Sequence, residues 1–234
     1  MSGKKIVIRE ACREDAEFLS IGVREAERCH TGIGIFDLLL GKTVETISKE
    51  DRSVSDSVSD YIKHLVLNRP DSHLYFDKFL VAVEEGTGTR AGCACIFSYP
   101  EAGLIQSIPA FKEALIKVHS FSEKDADTAL TKWDFVGEAF PDIECDNTWM
   151  VEAVFVSPDY RGIGLGRLLV EGCIDSHRNR FEPHLHRRVL IACAIGNDGA
   201  KRLYEKLGLK VVGQGHSEGS LREIHCYGFY MLST

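Results

Sequence analysis

A chain of 234 residues with 44% apolar residues and a formal net charge of −7 has enough apolar material to bury a core without covalent staples. Its mild acidity disfavours nucleic acid as a partner and weakly favours a cationic substrate. No apolar stretch reaches the roughly 18 residues that a bilayer span needs, and residues 1–6 lack a long apolar region with a cleavage site, so the sequence predicts no membrane partner and a cytoplasmic or comparable interior location. Cys12, Cys29, Cys93, Cys95, Cys145, Cys173, Cys193 and Cys226 form no Cys-x-x-Cys pair. They read as small thiols in a reducing compartment rather than as a zinc site or a disulfide framework, and no metal is expected.

In chain order, residues 5–9 predict a short strand, and the polar stretch from Glu10 leads into a helix to about Cys29 with Phe18, Ile21 and Ala26 as apolar positions. Residues 31–40 are apolar and punctuated by Gly32 and Gly34. Between Ser55 and Asn68, the residues Val58, Tyr61, Ile62, Leu65 and Val66 repeat at helical spacing until Pro70 ends the pattern. Residues 79–83 and 91–97 read as two strands of a hairpin, with Cys93 and Cys95 on one face. Residues 100–147 predict helices: one started by Ser107-Ile108-Pro109 with Phe111, Leu115 and Val118 aligned, another capped by Ser122 and carrying Ala126, Ala129, Leu130, Trp133 and Val136. No low-complexity linker sets this stretch apart, so it reads as an elaboration of one domain spanning 1–234.

An apolar strand over 149–156 stops at Ser157-Pro158, and a basic, glycine-rich turn follows. A helix opens at about Gly166, with Leu165, Leu168, Leu169 and Cys173 expected on one face. Glycines let the backbone approach a ligand without a Cβ in the way, and the N–H groups of a helix start point at it. With Arg161 and Arg167 alongside, the expected occupant is a phosphate or pyrophosphate. A dinucleotide fingerprint would need glycine where Arg167 stands, and the Lys-Ser/Thr of a P-loop is missing. Residues 189–195 form a continuous apolar run suited to a strand covered on both faces. A helix capped by Asn197 and closed by Gly208 follows, with Ala200, Leu203, Tyr204 and Leu207 on one stripe. Residues 210–213 and 224–232 predict a closing strand pair.

Arg161-x-x-Gly164-x-Gly166, preceded by Val156-x-Pro158-x-Tyr160-Arg161-Gly162, resembles the acetyl-CoA signature of the GNAT superfamily of N-acetyltransferases. Asn197-x-x-Ala200-x-x-Leu203-Tyr204-x-x-x-Gly208-Leu209 resembles the second hallmark of that superfamily, with Leu209 where the pattern has an aromatic. Ile8-Arg9-x-Ala11-x-x-x-Asp15-Ala16 is similar to its opening. The resemblance implies an α/β (α+β) GNAT fold: a central mixed sheet of about six to seven strands flanked by helices, with a helical insertion between the third and fourth strands. It implies acetyl-CoA as co-substrate, held by Phe155, Val156, Arg161, Gly162, Ile163, Gly164, Leu165, Gly166, Arg167 and Asn197. It also places residues 31–40 at the acceptor pocket, against the plain alternative of a packed connector. The insertion would shape specificity or form a homodimer contact.

Acetyl transfer to an amine requires a base for the amine proton, a donor for the oxyanion and an acid for the departing thiolate. Glu152 interrupts an apolar strand, expected on the face of Met150, Val154 and Val156, where poor solvation would move its pKa toward the range of a general base. The plain alternative is a strand-edge carboxylate satisfied by a neighbouring Arg or Tyr. His30, Asp134 and Glu138 are reserves, and His225 reads as a strand histidine. By resemblance Tyr204 is the acid, against a core tyrosine with a hydrogen-bond partner. A backbone N–H near Val156 is the expected oxyanion donor. A covalent route through Cys193 ranks below direct transfer in a ternary complex, since no motif ties a histidine to it. Three functions are open: an N-acetyltransferase of a small amine, a protein lysine or N-terminal acetyltransferase, and a non-catalytic acyl-CoA-binding module. The intact motifs and Tyr204 argue against the last.

Overall fold

Period-two alternation in the strands divides the apolar side chains between two layers. In the computed structural model, which describes residues 5–28, 32–41, 57–131, 148–180, 188–216 and 228–233, the elements run β1 (Ile6–Glu10), α1 (Ala16–Arg28), α2 (Ile35–Leu39), α3 (Ser57–Asn68), β2 (Phe79–Glu84), β3 (Arg90–Ser98), α4 (Tyr99–Ala102), α5 (Leu104–His119), α6 (Glu123–Leu130), β4 (Thr148–Val156), α7 (Leu165–Arg180), β5 (Arg188–Ala194), α8 (Asp198–Lys206), β6 (Lys210–His216) and β7 (Gly228–Ser233). The seven strands form one sheet in the order β1-β2-β3-β4-β5-β7-β6. Every neighbouring pair is antiparallel except β4 with β5. This is the mixed sheet that the resemblance implies, and its one parallel pair lies near the centre.

On one side of the sheet, Phe79 and Val81 of β2 and Cys93, Cys95 and Phe97 of β3 pack with Leu19 and Val23 of α1, with α2, α3 and the inner faces of α5 and α6. On the other side, Leu80, Ala94, Ile96 and Val151 pack with Leu165, Leu169, Val170 and Cys173 of α7 and with Tyr204 of α8. The helix over 57–68 buries Val58, Tyr61, Ile62, Leu65 and Val66 as its spacing predicts, and the Tyr61 hydroxyl donates to the Phe111 carbonyl at 3.0 Å. Residues 33–39 also go into the core: Ile33, Ile35, Phe36, Leu38 and Leu39 are all buried. The buried pair of Arg28 with Asp37 anchors this segment to the end of α1. Thr31 lies outside the described residues.

Two expected details are corrected. The helix predicted to start at Ser107 starts a turn earlier, at Leu104, with Ser107 N–H donating to Gly103 O at 3.0 Å and Pro109 inside it. Proline at the sixth position forfeits only one hydrogen bond near the helix start, which is cheaper there than in mid-helix. Leu168 does not join the buried stripe of α7: Leu165, Leu169 and Cys173 are buried, while Leu168 is 48% exposed beside the glycine turn. Ser122 caps α6 as expected, its hydroxyl accepting from Asp125 N–H at 3.1 Å. Trp133 and Val136 lie outside the described residues.

The start of the chain is tied to β3 by one carboxylate. Asp15 is fully buried and accepts from Arg9 at 2.7 and 3.0 Å, from Arg90 at 2.9 Å and from Cys12 N–H at 2.9 Å. Burial opposes its charge, and the bonds from Arg9, Cys12 and Arg90 more than offset this, holding the carboxyl well below the usual carboxylate range. Its contribution is thus fully present at neutral pH and lost as pH falls through the acid range. Asp15→Ala is expected to destabilise the protein by about 3 kcal/mol, read as a Tm lower by roughly 6 to 12 °C. A change under 2 °C would show that the cluster is a solvated surface pair.

Candidate active site

The site begins where the parallel pair ends. β4 and β5 pair from Thr148↔Arg188 to Val151↔Ile191. Beyond that, β5 continues against β7 as far as Ala194↔Phe229, and β4 continues against β3 as far as Val156↔Gly92. The sheet is open between the two strands from Glu152 onward.

A β-bulge sits at the opening. Two steps along β3, from Cys93 to Cys95, match three along β4, from Phe155 to Glu152, and Ala153 takes φ +50°. An inserted residue flips the side-chain alternation past it. Glu152 therefore does not share a face with Val154 and Val156, as the strand pattern predicts. Those two pack on the α7 side, while Met150, Ala153 and Phe155 face α1, and Glu152 meets His73 on that same side with Nε2···Oε2 at 3.5 Å. The bulge also turns backbone toward the opening. Ser157 N–H donates to Ala91 O on the β3 side at 2.9 Å, so alternation points the Val156 N–H to the opposite edge, where Arg161 Nε donates to Val156 O at 3.0 Å.

The glycine turn stands at the end of β4. Gly162 and Gly164 have φ of +79° and +85°, and a Cβ on either would meet nothing of the described residues within 4 Å. Backbone conformation demands glycine at both, and the space over them is open. Gly166 serves packing instead: a Cβ there would lie 3.3 Å from Leu203 and 3.8 Å from Val156, so its absence lets α8 sit against α7 and the end of β4. The first intrahelical bond of α7 is Leu168 N–H to Gly164 O, so the N–H groups of Leu165, Gly166 and Arg167 have no carbonyl within the helix to bond. Arg161, Gly162, Ile163 and Gly164 are all exposed. Arg167 pairs with Glu171 at 2.8 Å. Tyr160, which the sequence leaves without a role, is buried and pins the turn to β2 by donating to Glu84 Oε2 at 2.7 Å. This turn fits a diphosphate: open backbone donors, a helix start and an arginine, with no side chain of the described residues close over Gly162 or Gly164.

Burial, and then the nearby charge of Glu27, push the Glu152 carboxyl up to about 8. Burial with the Asp37 charge likewise raises Glu27 to about 7. Among the described residues neither an arginine nor a tyrosine pairs with Glu152. Tyr204 is 5% exposed and belongs to the α7-side cluster, so it lies on the opposite side of the sheet from Glu152. Asn197 caps α8, accepting from Ala200 N–H at 3.2 Å. Cys193 is buried, with its thiol against the carbonyls of Ala194 and Asn197. Cys12, Cys93, Cys95 and Cys173 are, like it, free thiols, and no metal-ligand cluster occurs among the described residues. No helix of the described residues is long and apolar enough to cross a membrane. The reserve bases His30, Asp134 and Glu138, and His225, lie outside the described residues. His73, which faces Glu152, Glu27, whose charge reaches it, and Ser107, which bonds His73, are connected to the site only by the fold: sequence reasoning misses this role for each, and none belongs to a motif.

The model of the Acetyltransferase (GNAT) family matches residues 42–209. No curated protein matches the sequence. Among solved structures, an N-acetyltransferase from Staphylococcus aureus Mu50 superposes with a TM-score of 0.59 at 17% identity, covering 97% of this chain and 100% of its own. A second acetyltransferase structure gives 0.57 at 17% identity, with 97% and 98% covered. At such identities the likeness shows a shared fold, and the family match extends it: the chain belongs to the GNAT acetyltransferase family and is an acetyltransferase.

Proposed function

We propose that the protein transfers an acetyl group from acetyl-CoA to the primary amine of a small molecule, by direct attack. The observation that carries this reading is the coincidence of three features: β4 and β5 part after Val151, Glu152 is the first residue beyond the last pair, and the open glycine turn stands at the far end of the same strand. The residues proposed to hold the co-substrate are Phe155 and Val156 along the strand, Arg161 to Arg167 in the turn and helix start, and Asn197 beside it. Acetyl-CoA supplies the activated acyl group.

In this reading Glu152 accepts a proton from the ammonium of the acceptor, the amine nitrogen bonds the acyl carbon, the nitrogen gives its second proton to solvent, and the carbon–sulfur bond breaks. The Val156 N–H holds the negative charge that develops on the acyl oxygen. Tyr204 gives its proton to the departing sulfur and recovers one from solvent, while Glu152 loses its own to solvent. An amine is charged near neutral pH, so the raised proton affinity of Glu152 brings base and substrate closer together. The paired carboxyls of Glu27 and Glu152 and the net charge of −7 both favour a cation. The side chain of Glu152 is only 18% exposed, which favours an amine small enough to enter over a folded protein surface.

Acetyl-CoA at about 100 times its Kd is expected to stabilise the protein by about 2.7 kcal/mol, seen as a higher Tm. A panel of small amines should then release free CoA thiol. Binding without thiol release from any amine or peptide would make the chain an acyl-CoA-binding module, and release only with peptides would move the substrate class to proteins.

A further inference from the structure

The segment between α3 and β2 brings a buried histidine against Glu152, and the helices that follow β3 hold it there. His73 is 2% exposed. Its ring lies 4.9 Å from that of Phe97 on β3 and meets Phe111 of α5 edge-on at 5.6 Å. Nδ1 is 2.9 Å from Ser107 Oγ, and the His73 backbone N–H donates to the same oxygen at 3.2 Å. Nε2 faces Glu152 Oε2 at 3.5 Å. We infer that His73, clamped by Ser107, is the positioning residue for the Glu152 base, and that this is what α5 contributes to catalysis. The inference rests on the reading of Glu152 as the base.

The choice of imidazole follows from the work a base must do. A carboxylate that gains and loses a proton each cycle needs a partner able to bond both forms. An arginine would lock it ionised and strip it of basicity. A neutral imidazole changes tautomer: it accepts at Nε2 from the protonated carboxyl and donates from Nε2 to the carboxylate. The Ser107 hydroxyl can accept or donate in turn, so it follows either tautomer at Nδ1. Burial, with the charge of Lys78 adding to it, lowers the proton affinity of His73 far enough to keep the ring neutral. The other titratable groups acting here are Glu27 on α1, which raises Glu152, and the buried Cys95 thiol on β3, which burial keeps protonated. At 3.5 Å the contact with Glu152 is long for a hydrogen bond, as such contacts often are before substrate binds.

A hydrogen bond to a charged acceptor is stronger than one between neutral groups, so the imidazole favours the ionised carboxylate on balance. Its loss therefore raises the pKa of Glu152. His73→Phe keeps the ring between Phe97 and Phe111 and is expected to lower kcat by about 10- to 50-fold, leave the KM for acetyl-CoA within about twofold, and move the acidic limb of the pH–rate profile up by about half to one unit. His73→Gln, which returns an amide to the Nε2 position, should bring the limb most of the way back. Should His73→Phe fail to fold, Ser107→Ala tests the same clamp and should move the limb in the same direction by less. A limb unmoved by His73→Phe, or by Ser107→Ala in its place, overturns the inference, as does a limb equally displaced in His73→Gln. Glu152→Gln separates the two claims. If that variant keeps the limb, the assignment of the base has failed; if it loses the limb while the His73 variants keep theirs, only the role of His73 has.

Discussion

Glu152→Gln is expected to lower kcat by about 10² to 10⁴ while leaving acetyl-CoA binding intact, because the change removes a proton acceptor and keeps the shape and the polarity of the side chain. The pH dependence gives the sharper result. Burial and Glu27 hold the Glu152 proton until about pH 8, and a base works only once it is unprotonated. In the wild-type enzyme kcat/KM for the amine should therefore rise through pH 8, and in Glu152→Gln that ionisation should vanish from the profile. The gap between the two enzymes widens with pH until the carboxyl is fully ionised. Glu27→Gln offers a second reading of the same physics. Removing a neighbouring negative charge makes Glu152 easier to ionise, so the limb should move to lower pH. A profile that stays the same in Glu152→Gln removes that residue from proton transfer.

What the sequence reveals of this site depends on how local the physics is. The glycine turn is legible because its causes lie within a few residues. Gly162 and Gly164 adopt φ values that other residues avoid, and the helix start at Leu165 follows at once. The two central strands are legible for a similar reason, since the apolar run at 189–195 and the one at 149–156, broken only by Glu152, have to be covered on both faces. The face of Glu152 is not legible. Trp149 to Val156 reads as a regular strand, and nothing in Glu152-Ala153-Val154 announces that an alanine will take a left-handed conformation and reverse the alternation beyond it. His73 is hidden in another way. It lies in a polar stretch before β2, and only the tertiary packing of Phe97, Phe111 and Ser107 around its ring gives it a partner on β4. The exposed Leu168 shows the same limit on a helix: an i, i+3 position can belong to the apolar stripe or to its border, and the neighbouring turn decides.

Tyr204→Phe tests the other side of the opening. The tyrosine is buried on α8, whose approach to α7 and to Val156 depends on the missing Cβ of Gly166. Phenylalanine preserves the buried ring and deletes only the hydroxyl, so acetyl-CoA affinity should change by less than about threefold and Tm by a few degrees at most, for the loss of one hydrogen bond worth about 1 kcal/mol. Turnover should fall by about 10². The size of that fall must depend on pH, and its sign is opposite to that of Glu152→Gln. A hydroxyl can protonate the departing sulfur only while it holds its own proton. The deficit of Tyr204→Phe should therefore be greatest near neutral pH and shrink at alkaline pH, where the wild-type tyrosine ionises. A Brønsted test adds a second axis: acyl donors built on more acidic thiols need less help in leaving, so they should narrow the gap between Tyr204→Phe and the wild type. If the deficit is the same for every thiol and at every pH, the hydroxyl is a packing group with a hydrogen bond, and the proton that reaches sulfur comes from solvent through the opening between β4 and β5.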